Sequence, residues 1–214
     1  MEAKFSAVEA IGFAWHAVTA KIGKFVGLAL LLFLLNIMTG FFAIVLKDMH
    51  LLSAVLNIAV YLVSTMLMVG FFRICLRIVD QKEFEIIDVI VSDISLLLKV
   101  IAINVILGLM IGLGFLLLFI PGIFLALKYG LSFLYIIDRN DPVIESIKIC
   151  GDDTTGSKME LFLLGLLMIG INFVGLLCLG VGLFVSLPMS YVALAYAYRK
   201  IASPALATQP ADSF

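Results

Sequence analysis

Two runs of 38 residues, 100–137 and 161–198, decide what this chain can fold into: the first carries one charge, Lys128, and the second none. As a single helix each would be about 57 Å long, nearly twice the roughly 30 Å hydrocarbon core of a bilayer. Each run must therefore fold back on itself. In the first run the break is expected at Pro121-Gly122, because proline lacks an amide donor and glycine accepts unusual dihedrals. In the second it is expected near Gly180-Val181-Gly182.

Residues 25–46 and 51–72 are two more uncharged stretches, each of 22 residues, joined by the polar turn from Lys47 to His50. Each makes a helix of about 33 Å, enough to cross the core. With 64% hydrophobic residues, 14% charged and a mean hydropathy of +1.22, the chain has more apolar surface than one soluble core can bury. Lipid must cover much of the rest.

Amphipathic segments come before the apolar pairs. Phe5, Val8, Ile11, Trp15, Val18 and Ile22 recur every three or four residues and predict one apolar helix face over 5–22. Ser6 and Glu9 predict a capping box, and Trp15 suits the headgroup level, so this helix is expected to lie in the membrane interface. Docking of a partner is its other potential use. Phe84, Ile87, Val91, Ile94 and Leu98 repeat the pattern over 84–98, with Glu85 and Asp88 on a solvated face. A third such helix is expected over 142–150, capped by Asp141, with Pro142 at its first position and Gly151 at its end.

The expected fold is an all-α integral membrane protein, a single membrane domain of six transmembrane helices. They form three hairpins, each preceded by an interfacial amphipathic helix: 5–22 with spans 25–46 and 51–72, then 84–98 with 100–119 and 122–138, then 142–150 with 159–179 and 182–198, and a tail at 199–214. The last two units align at a shift of 60 residues, which brings Gly122-Ile123-Phe124 onto Gly182-Leu183-Phe184 and Ile137 onto Ala197. At the same shift Gly70 to Asp80 falls on Gly130 to Asn140. With both termini and the segments 73–99 and 138–160 on one side, that side holds 12 of the 14 lysines and arginines; Lys47 lies opposite and Lys128 within a span. The positive-inside rule then makes the N and C termini cytoplasmic.

Little in the sequence points to reaction chemistry. His16 and His50 are far apart, and Cys75, Cys150 and Cys178 form no C-x-x-C pair, so no metal site, disulfide framework or catalytic triad can be assembled from them. Gly151 to Lys158 resembles a phosphate-binding loop, but its Ser and Lys are in the wrong order, no strand precedes it, and Asp152 and Asp153 would repel phosphate. A net charge of -1 argues against nucleic acid as a partner. The expectation is a protein with no enzymatic activity and no cofactor.

Lys128 is the one charge inside a span. Such a charge costs about 2.5–3.5 kcal/mol on insertion scales and marks a functional candidate. Its stem can snorkel toward a headgroup. Asn36, Asn57, Asn104 and Asn172 are explained most simply by hydrogen bonds between helices, and a polar path is the other option. Gly108-x-x-x-Gly112 and Ala193-x-x-x-Ala197 permit close helix packing, within the chain or between copies.

The motifs I-P-G-I at Ile120–Ile123, Lys128 in the next helix, Glu145-Ser146-Ile147-Lys148, Pro188 and Tyr198 carry a resemblance. The chain resembles the membrane domain of the glycerophosphoryl diester phosphodiesterase group and related bacterial six-span families of unsettled function, loosely throughout and well over 119–200. It departs from them at Ser146, where Ala is usual, and at Cys150, where Ser is usual. No segment of these 214 residues is long and polar enough to hold the phosphodiesterase domain fused to some relatives, so the resemblance does not carry that activity. It implies an inner-membrane location.

The expected role is an accessory or scaffold subunit that organises lipid or a membrane-protein partner, with membrane lipids, such a partner or a second copy as the binding partners. Lys128, Trp15, Pro121 and Gly122 are the candidate contacts, and Gly108, Gly112, Ala193 and Ala197 the candidate packing positions. The alternative is a small-solute or lipid transporter or channel. Polar residues converging on one water-accessible cavity would favour transport; a closed bundle with an apolar interior would favour the scaffold.

Overall fold

The computed structural model describes residues 5–45, 50–83, 93–178 and 180–202. These residues form nine helices and no strand: α1 (Ala7–Ala20), α2 (Ile22–Val45), α3 (His50–Val79), α4 (Ile94–Leu117), α5 (Phe119–Tyr129), α6 (Ser132–Arg139), α7 (Val143–Asp153), α8 (Lys158–Leu177) and α9 (Leu183–Ile201). Four stretches are long and apolar enough to cross a membrane, namely Leu51–Val79, Ile94–Leu117, Ile120–Arg139 and Lys158–Leu177. Leucines and isoleucines such as Leu109, Leu116 and Ile169 project from them, largely exposed. Only a hydrocarbon solvent makes such a surface favourable, and the chain is a membrane protein on that ground.

Helix α9 is the hub, packing against α1, α2, α3 and α8. It is less apolar than a lipid-facing span, with two serines, Pro188 and three tyrosines, and 11 of its 19 residues are buried. Protein shields it on most sides, so its composition answers to packing and not to lipid. Ala193 and Ala197 are buried in it. α1 lies against α9 through Ala7, Ala10, Ala14 and Val18. Small side chains on both helices let the axes approach.

That packing corrects the expected face of 5–22. Phe5 and Val18 are buried, but Val8, Trp15 and Ile22 point outward. The alanines form the protein-facing side, and the bulky residues are left for the surroundings. The capping box does not form either. The Ser6 side chain caps nothing. Instead Glu160 Oε2 accepts the amide of Ala7 at 2.8 Å, and Glu9 accepts the hydroxyl of Tyr196. A carboxylate from α8 and a tyrosine from α9 replace the local cap, tying α1 to the bundle.

The break in the first long run falls at Leu118, whose backbone is extended (φ -161°, ψ 142°), not at Pro121-Gly122. Pro121 sits in the first turn of α5, where its missing amide has no helical partner to lose. Gly122 serves close approach, not an unusual dihedral: a Cβ on Gly114 would stand 3.0 Å from its Cα. The second long run copies this device. Gly175 and Gly182 are in contact, and a Cβ on Gly182 would stand 2.7 Å from the Cα of Gly175. There the chain turns at Gly180, which has the left-handed φ of 75°.

Three further differences concern helix starts and ends. Residues 84–92 of the expected second amphipathic segment lie outside the described residues, and 94–98 belong to α4, which Asp93 caps through the amides of Ser95 and Leu96. Residues 119–139 form two helices joined at Gly130-Leu131. α7 starts after Pro142, gets no cap bond from Asp141, and runs through Gly151 to Asp153. Of the expected tail, 203–214 lie outside the described residues.

Candidate functional site

The C-terminal ends of α3, α6 and α9 meet in one ionic cluster. Arg199 places Nη1 2.6 Å from Asp138 Oδ2 and Nη2 2.7 Å from Asp80 Oδ2. The Tyr198 hydroxyl donates to the same Asp138 oxygen at 2.8 Å. Tyr135 stacks edge-on against Tyr198 and donates to Asp153 Oδ2 at 2.9 Å. Lys99 closes the edge of the cluster, donating to the carbonyl and side-chain oxygens of Asn140, each at 2.7 Å. Asn140 ends α6 in the left-handed region, so this lysine sits at the negative end of a helix dipole.

Beside this cluster are unmatched groups. Arg139 is almost buried; its Nε lies 3.9 Å from Asp138 Oδ2, and Nε and Nη1 have no hydrogen-bond partner among the described residues. Asp141 Oδ2 is in the same condition. Burial raises the Asp141 carboxyl above the ordinary aspartate range, with Glu145 and Asp138 adding to the rise and Arg139 and Lys99 opposing it.

Lys128 lies where α5 meets α7. Its carbonyl accepts from Thr154 Oγ1 at 3.0 Å and from Cys150 Sγ at 3.4 Å. Its Nζ stands 5.0 Å from the centre of the Tyr129 ring, with no acid paired to it among the described residues. Burial pushes the Cys150 thiol up to about 11, so it stays protonated and inert at neutral pH. A second lysine completes the neighbourhood. Lys158, which opens α8, has its Nζ 4.2 Å from the centre of the Phe124 ring, one turn before Lys128 on α5.

The cavities between the described helices are mostly apolar in lining. One, of about 530 Å³, lies between α2, α3 and α9 and is lined by Phe33, Met68, Phe71, Phe184, Leu187 and Tyr191 among others. Another, of about 370 Å³, lies between α3, α4 and α6 and includes Tyr61, Thr65 and Asn104. Among the described residues the span asparagines do not converge. Asn57 bonds the carbonyl of Ser53 within its own helix, Asn104 lines the second cavity, and Asn172 links α8 to Ser186 and Ser190 of α9 at 2.8 and 2.9 Å. The side chain of Asn36 lies outside the described residues.

The candidate residues are thus scattered. Trp15 is exposed on α1, Pro121 and Gly122 open α5, and Lys128 lies near its end. Gly108 and Gly112 face open space, while Ala193 and Ala197 are consumed by packing inside the chain. Among the described residues no group of three or more His, Cys, Asp or Glu could hold a metal ion. Sequence reasoning missed the ionic cluster, although the 60-residue shift held the signal: Asp138 and Tyr198 are 60 apart, and α3, α6 and α9 end at 79, 139 and 201. No family model, curated protein or solved structure matches the chain.

Proposed function

We propose that this chain is a non-enzymatic bacterial inner-membrane protein that organises lipid or a membrane-protein partner, as an accessory or scaffold subunit. In this reading six spans form three hairpins with interfacial amphipathic helices, and both termini are cytoplasmic. The chain then stands with the membrane domains of the glycerophosphoryl diester phosphodiesterase group. The observation that carries the reading is the character of the cavities. They are apolar, and of the described span asparagines Asn57 is spent within its own helix, Asn172 between two helices, and Asn104 borders one cavity without the others. Acyl chains suit such grooves; a hydrated solute does not.

Native mass spectrometry of the protein extracted in its own lipids tests the role. A stoichiometric lipid or protein partner supports it; a lone, bare protein overturns it. Cys178 tests the orientation. It is exposed at the end of α8 away from the ionic cluster, whereas Cys75 and Cys150 are buried. A membrane-impermeant maleimide should therefore label Cys178 from the outside of the inner membrane. Labelling only after the membrane is breached would reverse the topology.

A further inference from the structure

We infer that Lys128 and Lys158 together form a binding site for the phosphate of an anionic phospholipid, a site that rests on the lipid-organising role proposed above. Phe124 and Lys128 are four residues apart on α5 and so lie on one face, about 6 Å from each other. Lys158 reaches that face from the start of α8, with its Nζ over the Phe124 ring. Lys128 is held from the opposite side: its Cε lies 3.3 Å from where a Cβ on Gly151 would stand, so the absence of that Cβ gives the lysine its room against α7. Lys158 from α8 and Lys128 beside α7 therefore both meet the face of α5 that carries Phe124. Neither has an acidic partner among the described residues, and each rests on an aromatic ring; of the two loop acids that would oppose phosphate, Asp153 is buried and accepts from Tyr135, and Asp152 is exposed to solvent.

A cation on a ring gains a face of electron density but keeps its ammonium protons for another acceptor. The surroundings say what that acceptor belongs to. Ile120 and Phe124 are exposed on the α5 face that ends in Lys128, and Phe162 is exposed one turn after Lys158 on α8. A water-soluble anion would leave them uncovered. A molecule with an anionic head and apolar tails covers both parts. The doubled positive charge also selects among lipids, because the ammonium of a zwitterionic headgroup is repelled by the same two lysines that attract its phosphate.

The test uses the full chain in lipid nanodiscs, one set containing phosphatidylglycerol and the other only phosphatidylcholine, with lipid retention read by native mass spectrometry after transfer to detergent. Wild type should hold phosphatidylglycerol in preference to phosphatidylcholine. The pair K128Q/K158Q should lower that retention about thirtyfold, since each lysine near an anionic surface contributes roughly one such increment. K128R/K158R should retain the lipid, which separates lost charge from lost fold. If the glutamine pair keeps phosphatidylglycerol as wild type does, this site is wrong while the lipid-organising role stands. If wild type retains no lipid from either disc, the role itself falls in its lipid form. Inorganic phosphate that displaces the lipid at millimolar concentration would show that the site prefers a free anion and would overturn the lipid assignment.

Discussion

The ends of α3, α6 and α9 are joined by Asp80, Asp138, Tyr198 and Arg199, whereas at the other end α4 meets α5, and α8 meets α9, through bare glycine backbone at Gly114-Gly122 and Gly175-Gly182. Both are solutions to holding helices together where the hydrophobic effect gives no help, because lipid tails are as apolar as leucine. The ionic end fixes partners by charge and geometry, and each member is costly to lose because its partner is left behind unpaired. The glycine end fixes nothing chemically. It works by closeness, so it should ignore pH and salt and fail only when something is added.

The sharpest way to break this contrast is to remove Asp138. Its one oxygen serves Tyr198 and Arg199, with Arg139 close by. Asp138→Ala should cost about 3 kcal/mol, the low end of the penalty for breaking a buried pair, because Arg199 and Asp138 keep some exposure. Asp138→Asn, which can still accept a hydrogen bond, should cost less. Thermal unfolding in nanodiscs measures both; equal, small losses would mean that the cluster is not what holds this end. At the glycine end, Gly182→Val should cost about 1–3 kcal/mol by overpacking, because the new Cβ meets backbone that cannot swing away. That loss should be the same at low and high salt, while the Asp138 penalty shrinks as salt rises. A salt-dependent Gly182→Val would blur the distinction.

Between the two ends, Asn172 bonds Ser186 and Ser190 across α8 and α9. Asn172→Leu keeps the volume and removes both bonds, so a loss of about 0.5–2 kcal/mol is expected, smaller than either change at the ends. A gain in stability would show that the asparagine is kept for something other than packing.

These regions were unequally legible in the sequence. The length of the apolar runs is a constraint no packing can override, so the helices within 100–137 and 161–198 and the need for a break in each could be read directly. Where the first break falls could not, because Pro121 is as well accommodated in the first turn of a helix as between helices, and the choice belongs to Leu118. The face of α1 was misread because alanine counts little in an apolar periodicity, yet Ala7, Ala10 and Ala14 make the contact. The ionic cluster was hidden for another reason. Asp80, Asp138 and Arg199 each look like a charge that ends an apolar run, and only the fold brings three run-ends together. Lys128 stood out as the lone charge in its run, while Lys158 was indistinguishable from the other cations that flank the apolar runs.

The smallest expected effect concerns the edge of the ionic end, where Asp141 lies among Arg139, Lys99, Glu145 and Asp138. One of its oxygens is buried with no hydrogen-bond partner among the described residues. Burial holds its carboxyl above the unfolded value, so the folded protein prefers it protonated. The stability linked to this group is therefore complete below the unfolded pKa of about 4, and it is lost as pH rises through the folded value. Above the folded value the wild type bears that loss. Asp141→Asn imitates the protonated form at every pH, so it should be the more stable protein at pH 7, with the difference closing as pH falls below about 4. This is opposite in sign to Asp138→Asn, although the two aspartates are three residues apart and face the same arginine. Unfolding of both variants and wild type across that range decides the matter. If Asp141→Asn is destabilising at pH 7, Asp141 is a working member of the cluster, and the ionic end extends one residue further than its hydrogen bonds indicate.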